Sequence, residues 1–177
     1  AAAEQHNLEP ELVTAFILAE QRDQSSLESA VEYVSAVSIV QHNGSIGLGQ
    51  VTIQTAQDYD LFADLLSEET RQNLSHEEVA TLLASDEINV FATARYIRIV
   101  ADQGASTDPS EIPDTLKLFS GLDLGAYSDH SSTWSEANVR ALASEYTSLQ
   151  WDDDIYPHWG NFVFEAYGDV VSSGVLP

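Results

Sequence analysis

The sequence predicts a mainly α fold: a helical bundle around one acid-bearing helix, with one small β-hairpin. Three observations carry that reading. Apolar residues recur at three- and four-residue spacing in several stretches, which places them on one helix face. Ser75-His76-Glu77-Glu78 and Thr133-Trp134-Ser135-Glu136 have the pattern of capping boxes that open helices. Only residues 33–40, rich in Val, Ile, Tyr and Ser, read as a strand, and Asn43-Gly44 behind them is a two-residue hairpin signal.

The elements follow in order. Leu12, Val13, Phe16 and Ile17 mark an amphipathic helix that starts between Asn7 and Pro10. Asn7 is a candidate cap, and Pro10 is tolerated in the first turn. Glu11 is expected in water. Gln21 to Ser26 form a polar exit. Residues 45–51 read as a return strand or loop after the hairpin turn. Thr52 is placed to cap a helix over 53–66. A short helix is expected over 77–84 and a long one over 86–102, with Gly104 as its stop. Residues 113–119 read as a short helix and 121–132 as a polar surface loop. Two more helices are expected, over 136–149 and 157–171.

A chain of 177 residues fits one domain with a single core, and no composition shift marks a boundary. No run is long enough to span a bilayer, so membrane insertion is not expected. The chain starts on Ala1-Ala2-Ala3 without Met or a signal pattern and reads as a fragment of a larger protein. It has no cysteine, which removes thiolate catalysis. Its five histidines are not paired at zinc-ligand spacing, and neither a metal nor a cofactor is expected. Six basic against 29 acidic residues give a net charge of −23. That charge opposes nucleic-acid binding and docking on anionic membranes. A solvated, self-repelling surface is its simplest meaning.

Glu20 stands out. It follows Phe16 by four and Ile17 by three, so it continues the apolar stripe of its helix. A carboxylate there is costly unless paired or used. The simplest alternative is a helix-end acid that points to water or pairs with Arg22. Downstream lies Ser45-Ile46-Gly47-Leu48-Gly49-Gln50, a glycine-punctuated segment ending in an amide. Glycines allow a ligand to approach the main chain, although a plain β-turn needs them too. Cleavage of a glycosidic bond calls for a protonated carboxyl beside the leaving oxygen, and an apolar setting keeps it protonated near neutral pH.

A helix ending in Glu, then Gly-Leu-x-Gln and a Thr-capped helix, resembles the soluble lytic transglycosylase and goose-type lysozyme group. The resemblance covers roughly residues 8–121. It implies a lysozyme-like fold with Glu20 as general acid, and with Ser45, Gly47 and Gln50 along the glycan cleft. Thr93-Ala94-Arg95-Tyr96-Ile97 is similar to the family's Ala-x-x-Tyr-Leu helix, which makes Tyr96 a substrate-side residue. Phe119-Ser120-Gly121 is a faint match to its Tyr-Asn-Ala-Gly loop and adds Phe119. Two departures stand out. Gln21 follows the acid where many members have Ser, and the stretch before Gly47 is long. Val51-Thr52 follows Gln50, where goose-type lysozymes can carry a second acid. Asp23, Glu28 and Glu32 are the remaining candidates for that second carboxylate. Without one, the sugar's own 6-hydroxyl attacks and leaves an anhydro product.

Other residues carry weaker signals. Trp134, Trp151 and Trp159 fit core or rim packing better than sugar stacking. Asp152-Asp153-Asp154 lacks the alternation and glycine of a calcium loop. His42 reads as a surface histidine. The expected function is a peptidoglycan-cleaving glycosidase, either muramidase or lytic transglycosylase, acting on the MurNAc-β-1,4-GlcNAc bond. The expected setting is a secreted or injected bacterial effector acting in a target periplasm. Peptidoglycan glycan strands are the expected partner, with an immunity protein or a carrier or delivery protein as further ones. The alternatives are a lysozyme-like module that binds glycan or a partner without cleaving, and a structural helical domain of an injection or phage assembly.

Overall fold

The computed structural model describes residues 1–23, 44–108, 110, 119–128, 134–148 and 157–176. They form a mainly helical fold with one two-stranded antiparallel sheet, as the periodicity predicts. The chain divides into two compact units. One comprises Ala1–Ala19 with Ile97–Pro177, and the other Glu20–Tyr96. Among the described residues, no helix is long and apolar enough to cross a membrane.

The unit built from both ends of the chain opens with α1 (Ala2–Gln5), a single turn the sequence reading did not expect. Helix α2 (Pro10–Asp23) buries Leu12, Val13, Ala15, Phe16 and Ala19. Its first turn is anchored by Glu9, whose carbonyl accepts from the N–H groups of Leu12 and Val13. Asn7 is therefore not the cap. It lies further back with φ 50°, reversing the chain between α1 and α2. Glu11 is half-buried rather than fully in water.

Helix α6 (Asp86–Ser106) runs past Gly104, the expected stop. An interior helical glycine costs only about 1 kcal/mol, and hydroxyls of Ser106 and Thr107 finish the helix by donating to the carbonyls of Asp102 and Gln103. The expected polar loop holds a 3₁₀ helix, Leu124–Ser128. Tyr127 within it is fully buried and donates to the Asn138 carbonyl at 2.7 Å. Helix α7 (Glu136–Ser148) is capped by Ser135, whose Oγ accepts from Asn138 N at 3.2 Å. The expected cap, Thr133, lies outside the described residues. Helix α8 (Pro157–Ser173) packs on α7 where Gly160 meets the Arg140 carbonyl so closely that no side chain would fit.

The Glu20–Tyr96 unit holds the sheet. Strand β1 (Ser45–Ile46) pairs with β2 (Val51–Thr52), Ser45 opposite Thr52 and Ile46 opposite Val51. Its tip is Gly47-Leu48-Gly49-Gln50, so Ser45 and Ile46 are the outgoing strand of this hairpin. Residues 33–40 and Asn43 lie outside the described residues. Thr52 caps α3 (Ile53–Asp58) as expected, its Oγ1 accepting from Thr55 N at 2.9 Å.

Helix α3 ends eight residues before the predicted limit. Asp60 turns left-handed at φ 48°, Asp60 N bonds Gln57 O, and Leu61 N bonds Ala56 O. That pair of bonds is a Schellman stop with aspartate in place of the usual glycine. Arg71 holds Asp60 in place, Nε to Oδ1 at 2.7 Å. Helix α4 (Glu68–Gln72) was not expected. Helix α5 (His76–Leu83) opens on the predicted capping box, with both of its reciprocal bonds formed.

Thr52→Ala should remove about 1 kcal/mol of stability by freeing an orphan helix N–H. Urea unfolding beside wild type measures it. Burial, and then the charge of Glu145, push the Tyr127 hydroxyl well above its usual value of 10.0. The stability this confers is complete below about pH 10 and is lost as pH rises beyond it. Tyr127→Phe should lower stability at neutral pH yet flatten the alkaline fall, as read from urea midpoints across that range.

Candidate active site

The site grows from the end of α2 and the hairpin tip, both in the Glu20–Tyr96 unit. Glu20 lies half-buried in the last turn of α2, where the apolar stripe predicts it. Gln21 follows, and its Nε2 donates to the Leu48 carbonyl at 3.1 Å. The residue after the acid therefore ties the helix directly to the glycine turn. A serine at position 21 is too short to make this bond in the same way, so Gln21 makes it with a longer arm.

The turn itself is tight. Gln50 N bonds Gly47 O at 3.2 Å, and Gly47 and Gln50 have φ of 76° and 51°. Glycine takes that conformation freely, whereas glutamine is held there at a cost of about 1–2 kcal/mol. The Gln50 side chain offsets part of it. Its Nε2 donates to Gly47 O at 2.8 Å, and its Oε1 accepts from Ser45 Oγ at 2.6 Å. Ser45, Gly47 and Gln50 are thus joined to one another. An amide offers two N–H donors and two acceptor lone pairs, so each side of the Gln50 amide keeps capacity for a ligand after these two bonds.

The residue that sequence reasoning missed is Asn89 on α6. It has no solvent exposure. Its Nδ2 donates to the carbonyls of Ile46 and Leu83, both at 2.9 Å, and its Oδ1 accepts from Gly49 N at 2.7 Å. Thr93, one turn later and also fully buried, packs against Gly49 so closely that a Cβ there would collide with its hydroxyl and methyl. A polar residue at helical spacing from Thr93, Tyr96 and Val100 on the buried face was the available signal, though nothing local indicates its partners.

The other candidates fall as follows. Tyr96 continues the Asn89 and Thr93 stripe of α6, is buried, and stacks obliquely on Tyr59 with ring centroids 5.4 Å apart. Asp23 is exposed at the last residue of α2. Glu28 and Glu32 lie outside the described residues, as do Trp151, Asp152, Asp153, Asp154 and His42. Phe119 belongs to the other unit, where it is buried with Ala137 and Ala141 beside a cavity of about 430 Å³ that Ser120, Gly121 and Arg140 also line. Trp134 and Trp159 pack on aromatic neighbours, at 5.1 Å from Tyr127 and 5.6 Å from Phe162. Among the described residues, no cluster of His, Asp or Glu could hold a metal ion.

Gly49→Ala should destabilise the fold by about 1–3 kcal/mol, the usual range for overpacking. Thr93→Ala in the same chain should recover part of that loss. A double-mutant cycle on urea stability should therefore give a coupling well above zero, because the clash is shared.

A family model described as T6SS, Peptidoglycan muramidase Tse3, catalytic domain, matches residues 1–102. That stretch holds Glu20, the whole glycine turn, Asn89 and Tyr96. Peptidoglycan muramidase Tse3 of Pseudomonas aeruginosa is 52% identical over 175 residues, which is 99% of this chain and 43% of that protein. The chain spans less than half the length of this curated relative. The end of α2, the glycine turn and the match across them lead to one conclusion: this chain belongs to the family of Tse3 peptidoglycan muramidase catalytic domains.

Proposed function

We propose that this chain cleaves peptidoglycan at the β-1,4 bond between N-acetylmuramic acid and N-acetylglucosamine, with Glu20 as general acid and then general base. The observation that carries the reading is the family match over residues 1–102, which contains both Glu20 and the turn that Gln21 ties to its helix. Glu20 protonates the leaving oxygen. Its half-buried position in the last turn of α2 gives the carboxyl an environment less aqueous than the open surface. Ser45, Gly47 and Gln50 offer the sugar uncharged hydrogen-bonding groups. Water is the attacking nucleophile, in keeping with the muramidase name of the relative. Asp23, one turn beyond Glu20, is the described acid to test first as its activator. Glu28 and Glu32 come next.

The charge fits a particular setting. Arg71, Arg95, Arg98 and Arg140 are each engaged in an ion pair with Asp60, Asp64, Asp102 and Glu136. These four of the six basic residues are thus locally neutralised, and the net charge of −23 dominates the long-range field. Such a domain is repelled by a wall rich in anionic polymers and fits direct delivery into the periplasm of a target cell. There an immunity protein and a delivery protein would be its protein partners.

Digestion of purified Gram-negative peptidoglycan, with mass spectrometry of the products, tests the proposal. Wild type should release muropeptides with reducing ends. Glu20→Gln should lose at least about a hundredfold in rate, the lower range for a general acid, while keeping its fold. Anhydro ends would convert the reading to a transglycosylase. Absence of products from wild type would overturn it.

A further inference from the structure

We propose that Asn89 is the positioning residue of the glycan-binding turn, acting through Gly49 N–H and the Ile46 carbonyl to hold Gly47 and Gln50 in their binding conformation. This rests on the reading of the site given above.

The argument starts from strain. A left-handed glutamine at φ 51° persists only where its surroundings over-determine it. The hairpin cannot supply that constraint, because each strand has two residues. Asn89 supplies it from outside. Its amide reaches the backbone before the turn at Ile46 and inside the turn at Gly49. It also grips Leu83 at the end of α5, which fixes the amide plane against a second element. No other uncharged side chain of this length offers two donors and an acceptor in one plane. Aspartate has the same shape but presents a carboxylate to two carbonyl oxygens. Leucine removes all three of these bonds.

The same helix face seals the turn from below. Thr93 leaves no room for a side chain at Gly49, and Asn89 with the Leu83 carbonyl leaves none at Gly47. The freedom of the turn is therefore removed by α6 at both glycines. Once that grip is lost, Gln50 can leave the left-handed region, and its amide loses its registry with Gly47 O and Ser45 Oγ. Asn89 itself stays away from solvent and from sugar. Its influence is on binding, with the proton transfer at Glu20 left largely intact.

The test measures kcat and KM on soluble peptidoglycan glycan strands for wild type, Asn89→Asp, Asn89→Ser, Gln50→Ala and the Asn89→Ser, Gln50→Ala pair. Glu20→Gln is the control for the site itself. Each assay runs well below the variant's melting temperature, with the folded fraction checked by circular dichroism. Folded Asn89→Ser should raise KM roughly tenfold or more with kcat within about threefold, the signature of lost binding. Asn89→Asp should do the same if it folds. The paired variant should be no worse in KM than the weaker-binding single variant, since both changes act through one turn. Amide exchange at Gly49 should be faster in Asn89→Ser than in wild type. An unchanged KM in a folded Asn89 variant, or effects on KM that multiply, would overturn the role of Asn89. If Glu20→Gln keeps wild-type activity, the reading of the site fails first. If it is inactive while Asn89→Ser binds normally, only the positioning role fails.

Discussion

A tight backbone reversal held by one buried amide is the constraint on which this site depends. Asn89 spends two donors and one acceptor on three backbone groups from the turn, its leading strand and the end of α5. Buried polar groups of this kind are favourable only when fully satisfied, and then they select one conformation sharply. Here the conformation selected is one that glutamine would otherwise avoid. Gln50 is held there by its own amide and by Ser45, so the groups proposed to meet the glycan are also the groups that shape the turn.

Helix α6 organises more than a core. Its buried stripe carries Asn89 and Thr93 against the turn and Tyr96 against Tyr59. The strand-and-turn segment contributes little packing of its own, having only Ile46 and Val51 buried in the sheet. Its geometry therefore follows from the rigidity of a helix one step away, which is how a short hairpin can present groups with defined direction. The acid arrives from α2, and Gln21 spans from that helix to the Leu48 carbonyl. A single exposed hydrogen bond of this sort contributes little stability. Its effect is on placement.

Local signals in the sequence are legible where they are self-contained. The capping box at Ser75 and the cap at Thr52 both form, because each needs only residues three positions apart. Glu20 was legible for the same reason, since one helix period places it on the stripe. Helix ends were not. Asp60 stops α3 through a left-handed turn stabilised by Arg71, eleven positions away. Gly104 fails to stop α6 because the cost of an interior glycine is small beside the packing of a long buried helix. The polar composition near Tyr127 hid a 3₁₀ helix, since one fully buried ring and its bond to Asn138 outweigh several surface residues.

By itself the sequence determined the helical class, several caps, the acid at the end of α2 and the glycine-rich segment that accompanies it. Those features depend on periodicity and on chemistry within a few residues. Tertiary structure alone decided that Gln50 braces the turn, that Gln21 reaches Leu48, and that Asn89 holds the turn. These are bonds between residues 27, 40 and 43 positions apart, or depend on them. Hydrogen-bond direction and close approach across such separations leave no trace in local spacing. They exist only once the helices have packed and the backbone groups have found their partners.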